Sequence, residues 1–221
     1  GGRWHHAAHR FKTGLGCGLP DSPDQLWTQL PAKVRNQVRK ADVCGCMAVI
    51  GGSELTDDFY EVFSENMRDL GSPVHARELF QTLADENILD AVVPVVYCAG
   101  RPVAAAMAFA HDGALCNPWS SSLRGFRAMC PNMLLYWTML EYAVERGCRR
   151  FDFGRSSPDA PAFRFKRQWS AEKEPLTWHV FSRMQNIWDP LSETLVDERW
   201  KTLDLATSRR EGPARRRWIS L

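Results

Sequence analysis

The stretch Phe151–Trp169 (FDFGRSSPDAPAFRFKRQW) holds the side chains that are best suited to chemistry. It opens with Asp152 between two phenylalanines and ends with Lys166 and Arg167 close to its last tryptophan. A carboxylate can accept a proton from a reacting group, while an ammonium or guanidinium can stabilise developing negative charge. One loop therefore carries both kinds of charge that a two-sided site would need.

Asp152 and Arg155 are candidates at the first end of this stretch. If residues 151–153 form a strand, Asp152 faces away from both phenylalanines, because successive side chains alternate across a strand. Arg155 follows a glycine at the strand end and can bind a phosphate or carboxylate through its two-pronged guanidinium. Asp152 then either accepts an amine proton or orients Arg155, and the structural alternative is an internal Asp152–Arg155 pair that only shapes the turn.

Two other groups of residues are weaker candidates for a catalytic or metal site. Cys116 or Cys130 could pair with His111, but this spacing matches no nucleophile motif, and structural cysteines explain it better. The N-terminal histidines at positions 5, 6 and 9 have no carboxylate or cysteine that would complete a metal site. We therefore assign neither a covalent nucleophile nor a metal site.

Apolar spacing indicates the elements that must position these residues. Residues 25–41 are typical of an amphipathic helix or helix pair, whose basic side is either a solvated face or a phosphate-contacting surface. Helices are also predicted near 56–70 and 77–87, and Asn132–Arg146 is apolar on nearly every side, which predicts a buried helix. Asn132 can cap that helix, and the amides at its N-terminus can hold an anion.

Strand patterns alternate with these helices. The middle of the chain is typical of three antiparallel strands joined by tight turns, and short strands are expected before the first of them and after the buried helix. The segments are CGCMAVI, AVVPVVYCA, VAAAMAFAH, ALCNPWSSS, CRRFDFG and LTWHVF. This order predicts an α/β fold with a mixed sheet.

The two ends of the chain differ from this middle part. Gly14–Asp24 is rich in turn formers and predicts a loop or linker, so residues 1–24 are interpreted as the remnant of a truncated first domain. Residues 25–185 form the main predicted domain. Residues 186–221 are predicted to contain one or two helices and a mobile basic tail, SRREGPARRRW.

Composition limits the function classes. The 221 residues carry a net charge of +2, which gives no case for tight, indiscriminate nucleic-acid binding. The seven cysteines form no C-x-x-C pair and are most simply explained by a reducing cytoplasm, where disulfides are rare. No apolar run approaches the roughly 18 residues that span a bilayer, and no signal-peptide core is present. The composition does not indicate an oligomeric state.

The order of elements and the residues at their junctions resemble the FemAB-like proteins, which have an acyl-CoA N-acyltransferase (GNAT-type) fold. More narrowly, the chain resembles the FemAB-like proteins associated with the exosortase/PEP-CTERM system. The matching segments are KVRNQVRKA (33–41), VFSENMRDLGSPVH (62–75), GRPVAA (100–105), NPWSSSLR (117–124), PNMLLYWTMLEYA (131–143), FDFGRSSP (151–158) and FRFKRQW (163–169). The resemblance implies a mostly antiparallel sheet flanked by helices, truncated at its N-terminus relative to two-domain Fem proteins.

The resemblance also implies transfer of an acyl group to an amine. Fem enzymes move an amino acid from aminoacyl-tRNA to a peptidoglycan-precursor peptide bound in a cleft between two domains. The implied donor is therefore a charged tRNA or an acyl-CoA, the implied acceptor is a peptidoglycan or exopolysaccharide precursor, and no permanently bound cofactor is expected. The reaction is placed in the cytoplasm or at the inner face of the membrane.

Site residues follow from the same match. Lys166, with Phe165 before it, occupies the Phe-Lys pair of the Fem pattern, where an ammonium could stabilise the oxyanion; the alternative is a surface lysine between two arginines. Trp119 would stack on substrate and Ser120 or Ser121 would hydrogen-bond a peptide group, unless Trp119 is simply a core residue. The candidate site also includes Asp152, the binding candidates Arg155 and Arg167, and Asn132 as a candidate helix cap.

Two other functions remain open. An acyl-CoA-dependent N-acyltransferase is suggested by the fold, although LRGFRAMCPN lacks the R/Q-x-x-G-x-G/A loop that holds a pyrophosphate. A non-catalytic module that binds a polymer or an assembly partner would suit the basic tail and the missing domain.

Overall fold

The computed structural model describes residues 4–10, 12–85, 89–158, 160–183 and 197–216. The strands are β1 (His5–His9), β2 (Thr13–Gly18), β3 (Cys46–Gly51), β4 (Ala91–Cys98), β5 (Arg101–His111), β6 (Ala114–Ser122), β7 (Arg150–Ser156), β8 (Glu172–Pro175) and β9 (Trp178–Ser182). The α-helices are α1 (Pro23–Gln29), α2 (Ala32–Val43), α3 (Thr56–Asp69), α4 (Arg77–Leu83), α5 (Pro131–Glu145), α6 (Pro161–Arg167) and α7 (Leu205–Arg216). Short 3-10 helices cover Ser53–Leu55, Arg124–Met129 and Trp200–Thr202.

Seven strands form one sheet in the order β3-β4-β5-β6-β7-β2-β8. Every neighbouring pair is antiparallel except β6 and β7, which are parallel. The two hairpins of β4, β5 and β6 turn at Ala99-Gly100 and Asp112-Gly113, where both central residues have positive φ. Such turns match the twist of antiparallel strands. The predicted α/β fold with a mixed, mostly antiparallel sheet is therefore confirmed.

Helices cover both faces of this sheet. One face packs against α1, α2 and α5, and the other packs against α3 and α4. Strand β5 lies between the two layers, with Ala104 and Ala106 in the first core and Ala105 and Met107 in the second. Because alternate side chains point to opposite faces, a run of small apolar residues suits a strand that is buried on both sides.

The predicted loop at 14–24 is wrong in its first part, because Thr13–Gly18 is strand β2 between β7 and β8. Its glycines have a packing role. Arg150 on β7 and Glu174 on β8 form an ion pair across β2, and a Cβ on Gly16 would collide with the Arg150 guanidinium. Because Gly16 has no side chain, the ion pair between Arg150 and Glu174 can cross β2. The division of the chain at residue 24 stays a prediction.

The predicted mobile tail (208–218) is wrong over residues 208–216, because Leu205–Arg216 forms α7, which packs on α3. Residues 217–218 lie outside the described residues. Few apolar residues are needed, since Ser208 is fully buried and Gly212 lies directly against the backbone of Val74. Arg209 adds a hydrogen bond from its Nε to Ser64 Oγ at 2.8 Å. Small residues here do the packing that sequence patterns assign to large apolar ones. The predicted helical region at 187–196 lies outside the described residues.

Substituting Gly212 by alanine should loosen α7. The new Cβ would lie 2.9 Å from Val74 O and 3.0 Å from Val74 N, both backbone atoms that cannot easily move. We expect faster amide hydrogen exchange in α7, with no change in α5. Gly125→Ala is the matched control, because nothing lies within 4 Å of its added Cβ. Unchanged exchange in α7 would contradict this packing.

Two further observations complete the fold. Cys46 and Cys98 are register partners on β3 and β4 with a Cα–Cα distance of 4.5 Å, and they form a disulfide. Strand pairing thus joins two cysteines that are 52 positions apart, a pairing that the sequence spacing did not indicate. Within the described ranges, no helix is both long and apolar enough to cross a membrane.

Candidate active site

The candidate site lies where β6 and β7 separate. These parallel strands pair only over Ala114–Cys116 and Arg150–Asp152, although both continue further. An extra residue in β6, between the partners of Phe109 and Met107, marks a bulge at this point. Beyond it β6 remains paired with β5 and β7 with β2, so the two strands diverge. Bulges commonly re-aim side chains next to functional sites.

Asp152 lies at this fork and stabilises the turn that follows it. Phe151 and Phe153 are buried in the core beside α5, so Asp152 faces the other side of the sheet, as predicted. Its Oδ1 accepts a hydrogen bond of 2.7 Å from the Gly154 N–H, and Gly154 has φ +69°. The proposed internal pair with Arg155 is replaced by this bond to the backbone. The second carboxylate oxygen, Oδ2, is the one available to other groups.

Lys166 approaches Asp152 from α6. Its Nζ donates a 3.1 Å hydrogen bond to Arg155 O, which places the ammonium at the end of β7. The pKa of Lys166 is lowered to about 8, mainly by burial; Asp152 opposes this shift, and Arg155 contributes to it. Lys166 is half-buried whereas its neighbours Arg164 and Arg167 are exposed, so the alternative of a surface lysine does not describe it.

The other candidate residues between positions 151 and 169 have different roles. Arg155 is exposed, and its guanidinium lies 5.8 Å from the centre of the Trp178 ring. Phe165 packs against Tyr136, with ring centroids 4.9 Å apart, and so anchors α6 to the core. Arg167 donates to Ala171 O at 2.6 Å and holds the chain after α6. The structure thus brings Asp152, Arg155 and Lys166 together, while Phe165 and Arg167 support the helix.

The β6 candidates lie on two faces of the sheet. Trp119 and Ser121 face α3 and α4: the Trp119 ring lies 5.3 Å from that of Phe80, and Ser121 Oγ accepts from Asn66 Nδ2 at 3.0 Å. Ser120 faces α5, where its Oγ is 2.8 Å from Tyr136 Oη. One substrate group therefore cannot contact all three side chains from the same side.

The predicted cap by Asn132 is wrong. The residue at the N-cap of α5 is Cys130, with φ 59°, and Pro131 occupies the first helical position. Asn132 is therefore already inside the first turn, and no side chain caps the helix. Proline also removes one of the free amides that an anion could use at this helix end.

Residues that the sequence did not single out lie beside the fork. Asn117 is 3% exposed, and neither polar atom of its side chain has a partner within hydrogen-bond geometry in the described structure. Burial raises the pKa of Tyr136, which Ser120 and the nearby Asn117 oppose. A buried asparagine inside an otherwise apolar strand is a signal that could have been noticed, since buried amides normally need partners.

A second group lies on the α3 side, around Trp119. Arg216 of α7 donates from its Nε to His75 Nε2 at 3.1 Å, and both line a cavity of about 200 Å³ with Trp119 and Ser121. Five arginines lie between residues 209 and 217, so nothing in the sequence distinguishes Arg216 from the others. Among the described residues, no group of three or more histidine, cysteine or acidic side chains could hold a metal ion.

Comparison with solved structures finds several proteins that share this fold. FemX is 15% identical with a TM-score of 0.64, and the match covers 77% of this chain and 63% of FemX. The C-terminal domain of a putative lysylphosphatidylglycerol synthetase from Agrobacterium fabrum is 10% identical with a TM-score of 0.59, covering 79% and 61%. L-PGS from Bacillus licheniformis is 11% identical with a TM-score of 0.59, covering 86% and 65%.

At these identities the likeness shows a shared fold, and the chain spans a little under two thirds of the length of these structures. A comparison with curated protein sequences finds no significant match. Residues 30–167, well over half of the chain, match the family profile described as an acetyltransferase (GNAT) domain, and they include β6, β7 and Lys166. The chain therefore belongs to the GNAT acetyltransferase domain family.

Proposed function

We propose that this protein transfers an acyl or aminoacyl group to an amine of a cell-envelope precursor by direct aminolysis. The observation that carries the proposal is the position of Lys166, whose half-buried ammonium donates to Arg155 O at the end of β7 and interacts electrostatically with Asp152. A half-buried cation at such a cleft can stabilise an oxyanion more strongly than one in water, because screening is weaker there.

The chemistry uses few groups. The neutral amine of the acceptor attacks the carbonyl carbon of the donor, and the negative charge on the carbonyl oxygen faces the Lys166 ammonium. The Asp152 carboxylate accepts the proton that the amine loses as the C–N bond forms. When the ester or thioester bond breaks, Asp152 returns this proton to the leaving oxygen or sulfur. No covalent enzyme intermediate is needed.

The cysteine beside the site supports this direct route. Cys116 is the strand partner of Asp152, and burial raises the pKa of its thiol, with Asp152 raising it further. A thiol is a poor nucleophile until it ionises, so Cys116 is poorly suited to covalent catalysis.

The donor and acceptor classes come from the Fem-type resemblance. We propose a charged tRNA as donor and a peptidoglycan or exopolysaccharide precursor as acceptor, in the cytoplasm or at the inner membrane face, and a link to the exosortase/PEP-CTERM system. FemX among the structural relatives supports this direction. The decisive experiment is mass spectrometry of precursors from cells with and without the full-length protein. A mass difference of one residue would identify the transferred group, and identical precursors would overturn the proposed acceptor class.

Acyl-CoA is the second candidate donor, because it is the general donor of the GNAT family. The α5 N-terminus gives it little support, since Pro131 lacks an N–H group and Cys130 has a left-handed backbone. Calorimetric titration with acetyl-CoA separates the two donors, because micromolar binding would favour acyl-CoA. The basic tail no longer supports the alternative of a non-catalytic binding module, because its residues up to Arg216 belong to helix α7.

A further inference from the structure

A cavity of about 200 Å³ lies on the α3 side of the sheet. Trp119 and Ser121 line it from β6, Asn66 lines it from α3, and Arg216 lines it from the end of α7. His75, in the segment between α3 and α4, completes this wall. At about 30 Å³ for each water molecule, the volume has room for roughly six or seven non-hydrogen atoms. The cavity therefore suits a small ligand or one end of a larger one.

Strand pairing places this cavity close to Asp152 and on the same face of the sheet. Cys116, the register partner of Asp152, pairs on its other side with Phe109 of β5. Trp119 pairs with Met107, two residues away along β5, so roughly 7 Å of strand separate Trp119 from Cys116. Phe109 and Trp119 both pack on the α3 side, and Asp152 faces away from α5. A ligand in the cavity can therefore extend towards Asp152 without crossing the sheet.

Arg216 is a half-buried cation that has no acidic partner in the described part of the chain. Its Nε donates to His75 Nε2 at 3.1 Å, and burial together with Arg216 lowers the pKa of His75 to about 4, so this histidine is a neutral acceptor at pH 7. No acidic side chain is among the described residues that line the cavity, and the neighbouring Asp69 is paired with Arg68. The two terminal nitrogens of Arg216 therefore keep the flat edge of N–H groups that binds a carboxylate through both oxygens.

The rest of the wall combines one buried hydroxyl group with apolar side chains. Ser121 is 4% exposed, and its Oγ accepts a 3.0 Å hydrogen bond from Asn66 Nδ2, so its hydroxyl proton remains available to a second acceptor. The apolar part of the lining comes from Phe63, Met67, Leu70, Pro118 and Trp119. An anionic group and the apolar group attached to it would therefore both find partners in this cavity.

The charge and the apolar wall of the cavity select the ligand. One carboxylate neutralises the Arg216 charge, whereas a phosphate dianion would leave a net negative charge against apolar side chains, which is unfavourable. The apolar wall also favours the carboxylate of an amino acid or peptide over that of a uronic acid, whose ring carries several hydroxyl groups. The carboxyl group of an acyl donor is already esterified, so a free carboxylate belongs to the acceptor. We propose that this cavity binds the carboxylate of an amino-acid or peptide acceptor through Arg216 and Ser121, with its apolar side chain against Trp119.

The binding step stands without the proposed reaction, and only the assignment of the carboxylate to the acceptor rests on the proposed function. The test is an NMR titration of the full chain with sodium pentanoate and with pentanamide, a neutral probe of the same shape. We expect saturable binding of pentanoate and about tenfold weaker binding of pentanamide, because the charge-assisted contact with Arg216 is lost. Arg216→Gln should remove this preference. Ser121→Ala should weaken pentanoate binding about threefold, and it tests the site from β6 if Arg216→Gln disturbs α7.

Arg210→Gln is the matched control, because it removes one charge from the same helix at a side chain that is 72% exposed and paired with Glu211. Its affinity for pentanoate should stay within about twofold of the wild type, since exposed ion pairs contribute little. Equal weakening by Arg210→Gln and Arg216→Gln would overturn the site and leave only an effect of net charge. Absence of pentanoate binding by the folded wild type, or tighter binding of inorganic phosphate than of pentanoate, would also overturn it.

Competition identifies the source of the carboxylate. N-acetylalanine represents a peptide end and glucuronate represents a uronic acid, and each is titrated into protein saturated with pentanoate. Displacement by N-acetylalanine at the lower concentration supports the amino-acid or peptide carboxylate. Equal or stronger displacement by glucuronate, or displacement by neither compound, would overturn that assignment. Intact pentanoate binding by a protein that transfers no acyl group to any amine would instead contradict the proposed function alone.

Discussion

Replacing Lys166 by methionine should reduce the rate of transfer about 100- to 1,000-fold while the protein stays folded. That is the usual cost of removing one group that stabilises an oxyanion. Methionine keeps an apolar stem of four heavy atoms and removes the charged Nζ with its bond to Arg155 O. Single-turnover kinetics with the identified donor and acceptor, together with a thermal unfolding curve, measures both quantities.

The pH dependence gives Lys166 a second readout. Its pKa of about 8 means that the ammonium loses its proton as the pH rises through 8, so the wild-type rate should fall above that pH. Lys166→Arg should keep a flat profile, because arginine stays protonated. The folded state also binds this proton less tightly than the unfolded chain, whose pKa is near 10.5, so the stability penalty disappears as the pH rises from 8 towards 10.5. Full activity of Lys166→Met would reject the assigned role.

Replacing Phe80 by alanine should lower the free energy of unfolding by about 3–5 kcal/mol, the range for a large aromatic side chain in a core. Phe80 is fully buried, and its ring contacts Phe59, Phe63, His75 and Trp119 at centroid distances between 5.1 and 6.1 Å. Such aromatic pairs contribute beyond their buried area. Urea denaturation monitored by circular dichroism measures the change.

Leu79 provides the control for this prediction. It lies on the same helix but is 39% exposed, so Leu79→Ala should change the unfolding free energy by less than about 0.5 kcal/mol. Equal stability of the two variants would show that the aromatic cluster does not hold α4 in place.

Elements with large apolar residues could be predicted from the sequence, and the others could not. The strands β4, β5 and β6 and the buried helix α5 follow the expected spacing of apolar side chains. Strand β2 (TGLGCG) has the composition of a loop, and it is a strand because glycine accommodates the ion pair that crosses it. Helix α7 likewise packs through Ser208 and Gly212, residues that leave no apolar pattern.

The candidate site, too, could be predicted only in part from the sequence. Lys166, Asp152 and Arg155 lie within 15 residues of one another along the chain, and local alternation was enough to predict which way Asp152 faces. Asn117, His75 and Arg216 reach the site through the bulge in β6, the segment before α4 and the end of α7. Only tertiary packing places them there, and a single sequence holds no record of that packing.

Helix α7 is synthesised after the sheet and α5, so the cavity that it lines forms after them. Arg216 and its partner His75 are 141 residues apart, so their contact closes one of the longest loops in the molecule. During synthesis on the ribosome, the sheet and α5 can form before residues 205–216 have emerged, since domains acquire structure as they leave the exit tunnel. A nascent chain would then have the fork with Lys166 before Arg216 reaches His75, and the cavity that both residues line would be complete only after α7 has docked.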